Sequence, residues 1–258
     1  MRDVSEEFFS GTVFALVSAA MFTSSASAAQ NVTTIPDLAG DWARQAFEFE
    51  QPASGPGPIV NLTHKPAGIG SNFNIPVGNY LDPILKPAAA ERVKQLGQLS
   101  LAGVAFPNPS NHCLIESPPF VLHLQRRIQV MQRTNEVIIT YEQTPQARFV
   151  RLNGSHPAHV NPSWSGDSIG HYEGDTLVMD TVGVKVGPFS MVDIFGTPHS
   201  EAMHLVERYR LIDYEAAKQA TEKAIREQGY DGANVIKRGR NVRCAVHGQR
   251  STSSDHGG

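Results

Sequence analysis

The apolar and polar positions of the chain change period near its middle. From Arg126 to Arg133 (RRIQVMQR), Ile128, Val130 and Gln132 alternate with Arg127, Gln129 and Met131. A two-residue period predicts a strand. Thr134-Asn135 is a turn, and Glu136 to Glu142 (EVIITYE) follows with β-branched and aromatic enrichment, completing a hairpin. Ala147 to Asn153 (ARFVRLN) reads as a third strand, closed by Asn153-Gly154, where a positive φ costs little. Ser168 to Tyr172 and Asp175 to Thr181 form a second hairpin across Glu173-Gly174, and His204 to Ile212 (HLVERYRLI) is a further strand. Successive strands with short turns and no helices between them predict a mainly β fold, an antiparallel meander closed into a lipocalin-like barrel or strongly curved sheet.

Two segments carry helical character instead. Pro87 to Leu99 (PAAAERVKQLGQL) has proline in its first turn and good helix formers behind it. Tyr214 to Gln228 (YEAAKQATEKAIREQ) is Ala-rich and stops at Gly229. Both are expected at the periphery of the sheet. On either side of the first helix, Gln51 to Pro83 and Val104 to Pro119 are rich in turn formers and read as irregular chain.

The ends differ from the middle. Thr12 to Thr23 (TVFALVSAAMFT) is an apolar run shorter than the roughly 20 residues a bilayer span needs. Small residues follow it, with Ala26-Ser27-Ala28 as a cleavage site, so residues 1–28 are expected to be a signal peptide. The acids Asp3, Glu6 and Glu7 outnumber Arg2, against the usual positive start. Export places the protein in the periplasm or outside the cell. A single domain is expected over residues 29–236, and residues 237–258, basic and then Ser-, Gly- and His-rich, are expected to be a disordered or aberrant tail.

Composition sharpens this picture at three points. Hydrophobic content of 40% with a mean hydropathy of −0.25 suits a soluble chain with a real core. A net charge of −3 gives no electrostatic reason to expect nucleic acid or an anionic membrane as partner. The two cysteines, Cys113 and Cys244, allow one intramolecular disulfide in an oxidising compartment or two unrelated thiols.

Candidate chemistry gathers between Pro162 and Arg210. Gly166-Asp167-Ser168-Ile169-Gly170 matches the G-x-S-x-G nucleophile elbow, but that motif needs a helix after the serine, and a hairpin follows here. Glu173-Gly174-Asp175-Thr176 sits between two strands and reads as a turn. The histidines are the stronger lead. His156 and His159 lie in the loop after a strand, where functional side chains concentrate, and His199 precedes the next strand on a Gly196-Thr197-Pro198 loop. With His204 these four could be drawn into a zinc or copper site, but no tight ligand spacing is present, and neither a metal nor any other cofactor is expected.

Alternation in His204 to Ile212 puts Leu205, Glu207, Tyr209 and Leu211 on one face, which carries Glu207 inward. A buried carboxylate must be paired, hydrogen-bonded or functional. Leu177 and Met179 define the core face of their strand, leaving Asp180 on the other side. Arg148 and Arg151 fall on opposite faces, so at most one reaches Glu207, where a structural ion pair is as good a reading as catalysis.

Pro162 to Thr181 (PSWSGDSIGHYEGDTLVMDT) and Pro198 to Arg208 resemble a family of exported bacterial proteins of mostly unassigned function. Its signature is W-x-G-D-S-x-G-x-W-E-G-D-T-L-V-V-D-T, followed by P-H-S-x-x-L-H-x-x-E-R. Trp164, Gly166 to Ser168, Gly170, Glu173 to Val178, Asp180 and Thr181 match the first part. Pro198 to Ser200, His204, Glu207 and Arg208 match the second, while Tyr172, Met179 and Met203 depart from it. Arg148 to Pro157 resembles the family's strand ending in D-G-R-x-H-P, and the His112-Cys113 pair fits as well. Members usually continue past the helix into further strands and an acidic, Cys-containing end, which Lys237 to Gly258 does not resemble. The resemblance implies export and covers roughly Asp37 to Glu227.

These features lead to an exported small-molecule enzyme as the first expectation: a lyase, dehydratase or isomerase acting by His/carboxylate acid–base chemistry on a hydrophobic or aromatic compound. His156 or His199 would carry the proton, with Glu207 and Asp180 as carboxylate partners. Tyr141, Arg148, Arg151, Trp164, Tyr172 and His204 would line a single pocket around them. The alternatives are a lipocalin-like periplasmic binding protein for a hydrophobic ligand and a metal-dependent hydrolase or oxidase.

Overall fold

The computed structural model describes residues 35–42, 48–49, 57–63, 75–105, 107–123, 127–142, 144–228 and 241–249. The expected signal peptide over residues 1–28 lies outside them. Thr33–Gly258 is a compact unit by itself.

Nine strands occur among the described residues: β1 (Gly40–Trp42), β2 (Glu48–Phe49), β3 (Ile128–Gln132), β4 (Glu136–Tyr141), β5 (Thr144–Leu152), β6 (Asp167–Glu173), β7 (Thr176–Val182), β8 (His204–Ile212) and β9 (Asn241–Gln249). Helices α1 (Pro87–Leu101), α2 (Phe120–His123) and α3 (Tyr214–Gln228) accompany them. No helix among the described residues is long and apolar enough to cross a membrane.

The sheet runs β1-β3-β4-β5-β6-β7-β8-β9-β2. Its two edges are β1 and β2, yet only residues 43–47 separate these strands in sequence. Six Cα steps reach at most about 22 Å. In a flat nine-stranded sheet the edges would lie about 38 Å apart, at roughly 4.8 Å per strand spacing. Covalent geometry therefore requires the sheet to curl, and the fold is the mainly β curved sheet that the alternation predicts, a half-barrel accompanied by three helices.

Turn chemistry ends these strands where the sequence puts the turns. Asn153 takes a left-handed φ of 55° after β5, and Gly174 takes 61° between β6 and β7. One connection breaks the antiparallel meander. β5 and β6 pair in parallel, with Val150 opposite Ser168 and Arg151 opposite Ile169. Residues 153–166 carry the chain back to the starting end, the length a parallel crossover needs. Backbone bonds from Ser163 N to Gly183 O (3.1 Å) and from Lys185 N to Ser163 O (2.8 Å) pin that crossover to the segment after β7.

The expected disordered tail is a further correction. Asn241–Gln249 forms β9, antiparallel to β8 along its full length and parallel to β2. The run NVRCAVHGQ does alternate Val242, Cys244 and Val246 with Arg243, Ala245 and His247, a period masked by the basic and Ser/Gly-rich residues around it. Helix α2 was also not expected, because four residues give no helical period to read.

The core lies on the concave face. Ile128, Val130, Val137, Ile139, Tyr141, Val150, Leu177, Met179, Leu205 and Tyr209 form one cluster there. Trp42 of β1 joins it, Leu38, Val121 and Leu122 add to it from outside the strands, and Trp42 Nε1 donates to Leu38 O at 2.8 Å.

Candidate functional site

The alternation that builds the core sorts the candidate residues onto two faces. On β8 the buried positions are Leu205, Glu207 and Tyr209, with His204, Val206 and Arg208 facing the other way. On β7, Leu177, Met179 and Thr181 are buried while Asp180 is half-buried on the opposite side. On β5, Arg148 is 1% exposed, whereas the side chain of Arg151 is 46% exposed.

Inside, Arg148 Nη2 pairs with Glu207 Oε2, and both residues are essentially sealed from solvent. Arg148 Nε donates to Ser168 Oγ at 2.9 Å, and Nη2 donates to Thr181 Oγ1. Ser168 Oγ and Thr181 Oγ1 lie 2.9 Å apart. Tyr209 donates its hydroxyl to Glu207 Oε1 at 3.0 Å. Burial alone would pull the Arg148 guanidinium down, but Glu207, Tyr141 and Tyr209 outweigh it and hold it above its usual value. This is a cross-braced ion pair tying β5, β6, β7 and β8 together.

Ser168, the serine of the G-x-S-x-G match, is thus 1% exposed within a strand and engaged on both sides. It is a strut of the ion pair.

The other face holds a row of titratable groups. The crossover after β5 brings His156 over it, where Nδ1 lies 2.6 Å from Asp167 Oδ1 and Nε2 lies 3.1 Å from Asp180 Oδ1. His204 Nε2 lies 2.7 Å from both Asp180 oxygens. Arg151 closes the row with two bonds to Asp167, from Nη1 to Oδ2 at 2.8 Å and from Nη2 to Oδ1 at 2.9 Å. A further bond runs from Arg151 Nη2 to Ser155 O at 3.3 Å, next to His156. Hydrogen bonding from Arg151, joined by that from His156, outweighs burial and holds the Asp167 carboxyl below the usual range. His156, Asp167, Asp180 and His204 are 19–33% exposed at their side chains, desolvated enough to interact yet reachable from solvent.

The expectation of one pocket uniting Glu207 with the histidines is therefore corrected. Glu207 and Arg148 face the core, and His156, Asp180, His204 and Arg151 face away from it. A strand's two-residue period cannot bring both sets to one side.

The remaining candidates separate as well. His199 sits with Nδ1 3.2 Å from Ser200 O and a buried Nε2 that has no hydrogen-bond partner among the described residues, and burial lowers its pKa. Tyr141 belongs to the core cluster. Tyr172 packs at the edge of that cluster, its hydroxyl accepting from Gln132 Nε2 at 2.8 Å. Gln132 also bonds Pro36 O and Leu38 N, strapping the first described residues to the sheet. Trp164 lines a shallow recess with Leu114, Ile115, Pro188 and Phe189, and Lys185 Nζ lies 5.1 Å from its ring centroid. His112 stacks on Phe189 at 3.9 Å between centroids. Cys113 is free and exposed.

Asp167 is the member of the row that sequence reasoning missed. The predicted strand begins at Ser168, whereas β6 begins one residue earlier and gives Asp167 the outward parity of Ile169. Among the described residues no group of three or more His, Cys, Asp or Glu side chains has the geometry to hold a metal ion. His156 and His204 approach Asp180 as hydrogen-bonding partners. Compared with known proteins, the chain matches no family model, no curated protein and no solved structure.

Proposed function

We propose that the chain is an exported enzyme that acts by acid–base chemistry on a small hydrophobic or aromatic compound, as a lyase, dehydratase or isomerase. The proton-handling group is the row His156–Asp180–His204. The observation that carries this reading is the placement of two imidazole Nε2 atoms against one carboxylate oxygen, Asp180 Oδ1, at 3.1 and 2.7 Å. One imidazole can take a proton from substrate carbon or oxygen while the other gives a proton to a departing hydroxyl or to the rearranged carbon. Asp180 links the two, and for a dehydration the balance closes with release of water. General acid–base catalysis of this kind contributes ~10²–10⁴-fold. Glu207, paired with Arg148 and accepting from Tyr209, keeps the sheet that carries the row in shape.

The test uses the purified protein in D2O with a panel of aromatic and aliphatic hydroxy and carbonyl compounds, read by mass spectrometry for deuterium uptake, loss of water or isomerisation. Wild-type protein is expected to convert one compound class, and His156→Gln and Asp180→Asn are expected to lose that conversion. Compounds that bind but return unchanged and undeuterated from every incubation overturn the enzyme reading in favour of a binding protein.

A further inference from the structure

A neutral imidazole has one N–H and one lone pair, and its neighbours decide which nitrogen carries which. The four strands beneath His156 face it with Arg151 from β5, Asp167 from β6, Asp180 from β7 and His204 from β8. The two carboxylates are not equivalent. Asp167 is 2.6 Å from Nδ1 and is itself clamped by both terminal nitrogens of Arg151. Asp180 is 3.1 Å from Nε2 and already engages His204 through both oxygens. The tight contact is at Nδ1 and the loose one at Nε2.

We propose that Asp167 and Arg151 are positioning residues, which fix the proton of His156 on Nδ1 and make Nε2 the nitrogen that exchanges protons with substrate. Arg151 acts at one remove. Its paired N–H groups hold the Asp167 carboxylate against Nδ1, and its bond to Ser155 O fixes the backbone next to His156. Swinging Asp167 away would free the ring to turn about χ2 and let Nε2 carry the proton, with the base then aimed at the wrong partner. The same logic makes an orienting carboxylate essential beside a catalytic histidine elsewhere: it selects tautomer and ring orientation without itself taking the proton. On the row described above, the reactive atom is thus His156 Nε2, the nitrogen with the longer and looser carboxylate contact.

This assignment rests on the acid–base reading of the row, but its test does not need a substrate. In protein labelled with ¹⁵N-histidine, long-range ¹H–¹⁵N spectra report which ring nitrogen is protonated. With the ring neutral at alkaline pH, His156 is expected as the Nδ1–H form in wild type. In Asp167→Asn that form is expected to lose its dominance, and in Arg151→Met it is expected to give way in part, with the His204 resonances little changed. Arg151→Met keeps both carboxylates and serves if Asp167→Asn fails to fold. An Nε2–H form in wild type, or an unchanged His156 spectrum in the folded variants, overturns the proposal. If turnover is found, Asp167→Asn is expected to lower kcat by ~10²–10⁴-fold with KM nearly constant, since the whole acid–base contribution depends on the orientation. A shared fall in kcat and thermal stability with the wild-type tautomer retained would mark the pair as merely structural and overturn it too.

Discussion

Arg148 and Glu207 bring opposite charges in beside a cluster of apolar and aromatic side chains, with Ser168 and Thr181 as buried polar neighbours. Each ion loses several kcal/mol of hydration on entering such a site, and their attraction with the Ser168, Thr181 and Tyr209 bonds offsets that loss. Removing one partner leaves the other buried and unpaired. Arg148→Met is therefore expected to destabilise the fold by about 3–5 kcal/mol, measured by urea unfolding. The double variant Arg148→Met/Glu207→Leu is expected to recover most of that loss, because both hydration penalties vanish together. A double variant as unstable as the single one would show that the side-chain braces, rather than the charges, hold the four strands. At this scale much of the site could be read from the chain. Period-two alternation placed Glu207 inward, Asp180 outward and only one of Arg148 and Arg151 inside. It could not show that the outward residues of β6, β7 and β8 stand beside each other, because register is fixed by cross-strand pairing. Asp167 and the two-histidine contact with Asp180 stayed hidden for that reason.

Between β7 and β8 the chain has no regular element, and polar side chains do the work of a turn. Asp193 Oδ1 accepts from Phe195 N at 2.9 Å and from Thr197 N at 3.1 Å, while Gly196 takes a φ of 79° with Leu96 packed where a Cβ would stand. This seats the loop on α1 and delimits where His199 can lie. Burial raises the Asp193 pKa, outweighing the backbone bonds that lower it. A carboxyl whose folded pKa lies above its unfolded value contributes stability that is complete below the unfolded value, near 3.8, and that is lost as pH rises through the folded pKa. Asn keeps the acceptor oxygen and removes the ionisation. Asp193→Asn is therefore expected to match wild type in acid and to gain on it steadily as pH rises toward neutral, read from thermal midpoints across pH. A wild-type advantage that grows with pH would mean the ionised form is the favoured one. Elements with a full period were legible in the sequence: β3, β4, β7, β8 and α3 stand where alternation or helix propensity put them. The parallel β5–β6 pairing was not, since a crossover of loop residues carries no periodic signal and its direction depends on where residues 153–166 find bonds.

Closure of the sheet depends on residues far from the candidate row. β9 supplies partners to all nine residues of β8 and, on its other side, pairs with β2, so it joins the β1–β2 segment to the far edge. Without it β8 would become an open edge carrying Glu207 and Tyr209 inward and His204 outward. An unpaired edge of that length invites association with other chains. The basic, glycine-containing segment that sequence reasoning set aside as a tail thus holds the last strand of the curve, and its composition concealed this because only residues 241–249 alternate. A chain ending at residue 240 is expected to lose its cooperative thermal transition and to elute as aggregate, since nine strand residues lose their ladder while the buried Arg148–Glu207 pair loses the strand that backs it. The same truncation is expected to abolish the ¹⁵N signature of His156, because a chain without its cooperative fold no longer holds Asp167 and Arg151 against the ring. A truncated chain that stays monomeric, melts near the full-length temperature and keeps the His156 tautomer would show that β8 closes the sheet unaided and that β9 is dispensable to both core and row.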